Sequence, residues 1–249
     1  MKNMIRASFF KLFHDKAIWI SLAGTVAWSL FLCFALIWIS DGKLILTNFV
    51  TMERYWRDFI GYHAIMVPLL VSSIVLFTSE FKDRSWKLFI ARGISKASFY
   101  FSKVPVILFL TALICFVSIL TGAVFSLAAL GAPMSKLYLG FVLRFYCLQV
   151  IAHGTAAILI LSISFLIKVS EISSSLNMVL LVLGTMALSK LEGALFLGDA
   201  LTGSWAFAQP LRVCFAQWND VLRFVLTFAV YLVVCSLVVI LFTARRDVE

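Results

Sequence analysis

The sequence predicts an all-α membrane protein, one transmembrane domain of six helices over residues 1–249, and three observations predict it. Of its 249 residues 63% are hydrophobic and 13% charged, with a mean hydropathy of +1.04; a soluble domain carries about 25% charged residues. Six uncharged runs stand out: Ala17–Ser40, Phe59–Ser79, Val104–Ser135, Phe145–Ile167, Ile172–Ser189 and Phe224–Ala244. Each is near or above the ~18–20 residues that cross roughly 30 Å of hydrocarbon as a helix. No run alternates in polarity over about 10 residues, as a barrel strand would. The spans are placed at 17–40, 59–79, 104–130, 145–167, 172–189 and 224–244.

The net charge of +9 is a topological signal rather than a nucleic-acid footprint. Thirteen of the 21 Lys and Arg fall on the side that holds both termini, the loop between the second and third spans and the turn between the fourth and fifth. Eight fall on the other side. Basic residues are retained in the cytoplasm, so both termini are expected inside a plasma-membrane protein.

Residues 1–16 form an amphipathic helix, with Ile5, Phe9, Leu12 and Phe13 on one face and Lys11, His14 and Asp15 opposite. Such a helix lies in the headgroup plane with its aromatics in the acyl boundary; the plainer alternative is a frayed basic terminus. The run that follows exceeds a signal h-region of about 7–15 residues and is read as a retained helix. The first outer loop, Asp41–Asp58, carries Tyr55 and Trp56, residues suited to the membrane interface.

Between the second and third spans stands "TSEFKDRSWKLFIARGISKASFYFSK", residues 78–103. It holds Lys82, Arg84, Lys87, Arg92, Lys96 and Lys103 against only Glu80 and Asp83. A helix is expected from Glu80 to Arg92, with Phe81, Leu88 and Phe89 on one face and Glu80, Asp83 and Lys87 on the other. Gly93 supplies its stop and Ser95 the cap of the next helix. An apolar stripe on a helix standing off the membrane suits a groove in a partner. A basic linker lying on the membrane is the alternative, and the local pattern leaves both open.

The third run is too long for one untilted span and ends near "GAP" at 131–133. On the fourth, Gln149 and His153 stand one turn apart. They either line a polar pathway or make interhelical hydrogen bonds. The last outer segment, about Lys190–Arg223, is apolar but interrupted by Gly203 and Pro210 and too short to cross. With Trp205 and Trp218 as interfacial anchors it reads as a re-entrant or surface-lying element that closes the outer end of a pathway. The cysteines at 33, 115, 147, 214 and 235 form no C-x-x-C pair and are read as small packing residues.

Several chemistries are missing. There is no G-x-x-x-x-G-K-[ST] to cradle a nucleotide, no H-E-x-x-H for a metal and no G-x-S-x-G for a nucleophile. No catalytic residue and no metal site is expected. No Asp, Glu, Lys or Arg sits centrally in a run, which argues against an ion-coupled carrier. Uphill movement would draw its energy from another chain.

Taken together the chain resembles the ABC-2 family, the six-span permease subunits of ABC exporters. "MIRASFFKLFHDKAIWI" is similar to the family's amphipathic elbow, "FTSEFKDRSWKLFIARGISKASFYFSK" to its signature loop with Glu80 as the acid and Lys103 as the closing lysine, and "FTARRDVE" to its ending. The chain departs in lacking Gly-Thr after the acid and in having Gly93 where Pro is common. Its size and "FFK" opening look most like permeases that export antimicrobial peptides, including lantibiotic self-immunity systems.

The resemblance implies a separate cytosolic ABC ATPase that binds ATP and Mg and docks on a coupling helix made of Glu80, Phe81, Arg84, Lys87, Leu88, Phe89 and Arg92. A smaller contact would form at Glu171 in "KVSEISSS". It also implies a second permease chain, identical or related. No cofactor is bound by this chain itself, and an amphipathic or hydrophobic compound or peptide is the implied substrate. The rival reading is a membrane assembly or sensor subunit that transports nothing.

Overall fold

A computed structural model describes residues 2–39, 55–56, 64–82, 85–130, 136–167, 170–195, 204–208, 210, 213 and 218–245. The elements run α1 (Lys2–His14), α2 (Lys16–Ile39), α3 (Ala64–Lys82), α4 (Ser85–Ala91), α5 (Lys96–Ala129), α6 (Lys136–Ile167), α7 (Ser170–Val179), a π-helical turn (Leu180–Gly184), α8 (Thr185–Leu195) and α9 (Trp218–Arg245). No strand occurs among the described residues.

Four helical stretches among the described residues are long and apolar enough to cross a membrane: Ile18–Ala35, Lys96–Ala129, Leu139–Ile167 and Val221–Phe242. They carry the first, third, fourth and sixth apolar runs. The second run lies largely in α3, with residues 59–63 outside the described ones. The fifth is divided among α7, the π turn and α8, each shorter than a span. On α2, Trp19 and Trp38 are 58% and 84% exposed. Nineteen residues at 1.5 Å each set them about 28 Å apart, close to the hydrocarbon thickness, as paired interfacial anchors would be.

Two helices begin earlier than the uncharged runs do: α5 at Lys96 rather than 104, and α6 at Lys136 rather than 145. The run criterion halts at the first charge, whereas a helix continues wherever a basic side chain finds water or a partner. Lys103 has found one inside the protein. Its side chain is 6% exposed, its Nζ donates to Ser8 Oγ of α1 at 3.0 Å, and it sits 5.1 Å from the centre of the Phe99 ring.

The bundle is organised around α6, which packs against α3, α5, α7 and α9. In its apolar stretch 67% of residues are buried, against 22% for the stretches of α2 and α9. The two peripheral helices therefore offer most of their apolar surface outward. Contacts among α2, α3 and α5 use small polar side chains, the usual glue where no water drives association. Ser29 Oγ donates to Ser118 Oγ at 3.3 Å and Ser118 Oγ to the Ala64 carbonyl at 3.2 Å. That carbonyl is the one deprived of its helical donor by Pro68, which has no N–H.

Tyr55 and Trp56 are 1% and 0% exposed, and the interfacial placement expected for them is corrected. The Tyr55 hydroxyl donates to the Gly122 carbonyl of α5 at 2.8 Å, and the Trp56 ring meets Phe145 edge-on at 5.3 Å. Tyr55 can be buried because its polar tip has found an acceptor, and Trp56 because its ring packs on Phe145. Cys33, Cys115 and Cys235 are buried and unpaired in disulfides, Cys147 is exposed, and Cys214 lies outside the described residues.

Candidate functional site

Two regions bring the sequence-flagged residues together. The first is the hairpin from α3 through α4 into α5. One helix was expected over Glu80–Arg92, and the structure describes its two parts on either side of residues 83–84. Glu80, Phe81 and Lys82 complete the last turn of α3, and α4 begins at Ser85. Arg84 lies outside the described residues, as does Asp83.

The expected stop and cap are both present. Gly93 has φ +79°, its N–H bonds the Ile90 carbonyl at 2.9 Å, and the Ile94 N–H reaches the Phe89 carbonyl at 3.1 Å. This is a Schellman motif, which needs the left-handed residue that glycine supplies without strain. Ser95 Oγ then accepts from the Ser98 N–H at 3.2 Å to open α5.

The hairpin's apolar face divides. Phe89 is half-buried, its ring 5.6 Å from Phe99, which in turn lies 6.1 Å from Phe165 of α6. Leu88 is 64% exposed, and Lys87 and Arg92 are exposed beside it. The single stripe expected of Phe81, Leu88 and Phe89 is thus corrected: Phe89 faces its own bundle because α5 begins directly beneath it, and Leu88 faces away. Glu171 lies in the first turn of α7, a helix that packs against α3.

Helix α1 buries its stripe against α5. Leu12 is fully buried, Ile5 and Phe9 are half-buried, and the rings of Phe9 and Phe13 meet Phe109 edge-on at 5.4 and 5.7 Å. Phe13 remains 44% exposed and the neighbouring Phe10 64%. Part of the face expected to meet lipid is therefore covered by protein. The Ser8–Lys103 bond ties this helix to the base of the hairpin. Replacing Ser8 with Ala removes one acceptor from a buried ammonium and should cost about 1 kcal/mol. Lys103→Met removes the charge with its need and should cost less than Ser8→Ala; thermal unfolding of the detergent-solubilised protein checks the order.

The second region is built around residues 204–210. Phe207 is fully buried among Met66 and Leu70 of α3 and Ala156 and Ile160 of α6. Three hydrogen bonds from three helices hold the segment. Trp205 Nε1 donates to Thr185 Oγ1 of α8 at 3.2 Å, and the Ala206 N–H donates to the Tyr231 hydroxyl of α9 at 3.2 Å. The Pro210 carbonyl accepts from Gln149 Nε2 of α6, also at 3.2 Å. The Trp205 ring packs closely on Gly184: a Cβ there would stand 3.1 Å from Trp205 Cζ2, and the ring would have to give by a few tenths of an ångström.

Trp205 is therefore a half-buried packing residue rather than the expected interfacial anchor. Trp218 opens α9. Gln149 makes a cross-element bond, though to backbone rather than to a neighbouring helix's side chain. His153 is fully buried and donates from Nδ1 to the Gln149 carbonyl at 3.1 Å. Gln149 Oε1 and His153 Nε2 meet no partner among the described residues.

Sequence reasoning did not find Thr185, Tyr231 or Gly184. Tyr231 carried a signal, a hydroxylated aromatic deep in a span rather than at its end. Among the described residues no cluster of His, Cys, Asp and Glu has the makings of a metal site.

A family model described as "ABC-2 family transporter protein" matches residues 4–188. No curated protein and no solved structure matches the chain.

Proposed function

The chain belongs to the ABC-2 family of transporter proteins, and from that premise we propose that it is the permease subunit of an ATP-driven exporter. In this reading it crosses the plasma membrane six times with both termini cytoplasmic, pairs with a second permease chain, identical or related, and is energised by separate ABC ATPase subunits that bind ATP and Mg. The substrate is an amphipathic or hydrophobic compound or peptide.

The observation that carries the reading is the hairpin. Its turn is fixed by Gly93 and Ser95 and its inner face by Phe89 on Phe99, while Leu88, Lys87 and Arg92 are presented outward. A helix held rigidly at its base and apolar at its tip can both dock in a partner groove and transmit that partner's motion to the spans. Helix α1, tied to α5 through Ser8 and Lys103, moves with it as the elbow, and the first turn of α7, around Glu171, serves as the second, smaller contact. Residues 204–210, seated in the bundle, act as the outer gate.

Proteoliposomes containing the permease and its ATPase test the proposal. ATP hydrolysis should be accompanied by ATP-dependent movement of a fluorescent amphipathic peptide or dye, and vanadate should stop both. A complex that binds the ATPase yet moves no amphiphile under ATP would favour the assembly or sensor reading instead.

A further inference from the structure

Residues 204–210 cover one stripe of α6 at both of its ends. At 3.6 residues per turn, Gln149, His153, Ala156 and Ile160 fall within about 60° of one another around the helix. Gln149 holds the Pro210 carbonyl, while Ala156 and Ile160 pack with Phe207. His153 stands between these two contacts on the same stripe. Both polar side chains are fully buried.

Each of the two uses only part of its hydrogen-bonding capacity. Gln149 Nε2 donates to Pro210, but Gln149 Oε1 has no partner among the described residues. A carbonyl can only accept, so the bond from His153 Nδ1 to the Gln149 carbonyl places the imidazole proton on Nδ1. That leaves Nε2 a bare acceptor, and it too has no partner among the described residues. The next hydroxyls along the helix give their protons to its own backbone, Thr155 to the Ile151 carbonyl and Ser162 to that of Ile158. A buried acceptor without a donor is costly, and leucine at 153 would pack without that cost. The pair is suited to a donor brought from outside the chain.

The chemistry of the pair selects the donor. Two neutral acceptors repel a carboxylate or phosphate, and they cannot repay an ammonium for the hydration it would lose. A neutral N–H loses little on burial and gains a bond. We propose that Gln149 Oε1 and His153 Nε2 are the polar contact of the substrate site, receiving the N–H of a secondary amide such as a peptide bond when residues 204–210 lift. The substrate's apolar part then takes the place of Phe207 against Met66, Leu70, Ala156 and Ile160. The seated segment is thus a plug that occupies the apolar half of the site and covers the polar half. This rests on the reading of residues 204–210 as the outer gate, and it narrows the substrate from any amphiphile to one with a neutral N–H donor.

A matched pair of probes tests it: a BODIPY-labelled alkyl secondary amide and its N-methyl tertiary counterpart, alike except for the N–H. Fluorescence polarisation with the full-length permease in nanodiscs should show the secondary amide bound at least tenfold more tightly. His153→Leu should bring the secondary amide down to the tertiary level and leave the tertiary amide where it was, with an unfolding temperature unchanged or higher because a bare buried acceptor has been removed. Equal affinities in the wild type, the result if the two acceptors hold only a water, overturn the proposal, as does a preference that His153→Leu leaves intact. Proteoliposomes with the ATPase separate this outcome from the transport reading. Equal affinity with ATP-driven movement of both amides would leave export standing while this proposal falls; the expected preference without any ATP-driven movement would keep the acceptor pair and remove export.

Discussion

Leu88→Asp is expected to strip the ATPase from the purified permease while leaving its unfolding temperature unchanged, whereas Phe89→Asp is expected to lower both. The two residues are neighbours in α4 with opposite surroundings. Leu88 is 64% exposed and so contributes little to the isolated chain. In a partner's groove it would gain roughly 1.5–3 kcal/mol on full burial, about 10–150-fold in affinity. Aspartate forfeits that and adds a charge that must be desolvated. Phe89 already has its partner in Phe99. A fully buried phenylalanine costs ~3–5 kcal/mol on truncation, so a half-buried one should cost about 2 kcal/mol, and the lost contact frees the hairpin from α5.

The charge-driven alternative makes an opposite forecast. If the loop only lies on anionic lipid, attraction sums at about 1 kcal/mol per basic residue, and Lys87→Gln with Arg92→Gln should matter while Leu88→Asp should not. The readout is ATPase per permease after co-purification, together with thermal unfolding. Full stoichiometry in Leu88→Asp would remove the hairpin from the interface.

How far the sequence could be read depended on the range of the cause. The hairpin's turn was legible because Gly93 and Ser95 act on backbone groups within five residues of themselves. The apolar stripe of α1 was legible because Ile5, Phe9 and Leu12 repeat at helical spacing, but its burial against α5 in place of lipid was not. The apolar runs were legible because composition alone sets the cost of burying a charge in hydrocarbon. What failed depended on partners far along the chain. Tyr55 looked interfacial until Gly122 supplied an acceptor 67 residues away, and Phe89 looked free until Phe99 turned back onto it. Gln149 could be flagged as a polar residue in a span, but nothing local says that its acceptor is the carbonyl of Pro210, 61 residues on. Charge placement also misled at α5, where Lys103 ended the apolar run yet lies inside a helix with Ser8 as its acceptor.

The largest loss of stability is expected at Phe207. It is fully buried among Met66, Leu70, Ala156 and Ile160, and removing its ring leaves a cavity that α3 and α6 close only in part. Phe207→Ala should cost ~3–5 kcal/mol, which for a chain of this size is roughly a 10 °C fall in unfolding temperature. Gln149→Leu should cost far less. It removes one bond to the Pro210 carbonyl, and single hydrogen bonds within membranes average about 0.6 kcal/mol. The two changes also act on one segment, so their effects should not add: once Phe207 has left its pocket, the Gln149 bond has little left to hold. A thermal double-mutant cycle measures that coupling. Labelling of a cysteine at Ser204, in a background free of the native cysteines, should accelerate in Phe207→Ala as the segment lifts from the bundle, while ATPase stoichiometry stays at the wild-type value because the hairpin keeps its own supports. An unfolding temperature unchanged in Phe207→Ala would mean that residues 204–210 do not sit in the bundle. A changed ATPase stoichiometry would mean that they touch the docking side and are no outer gate.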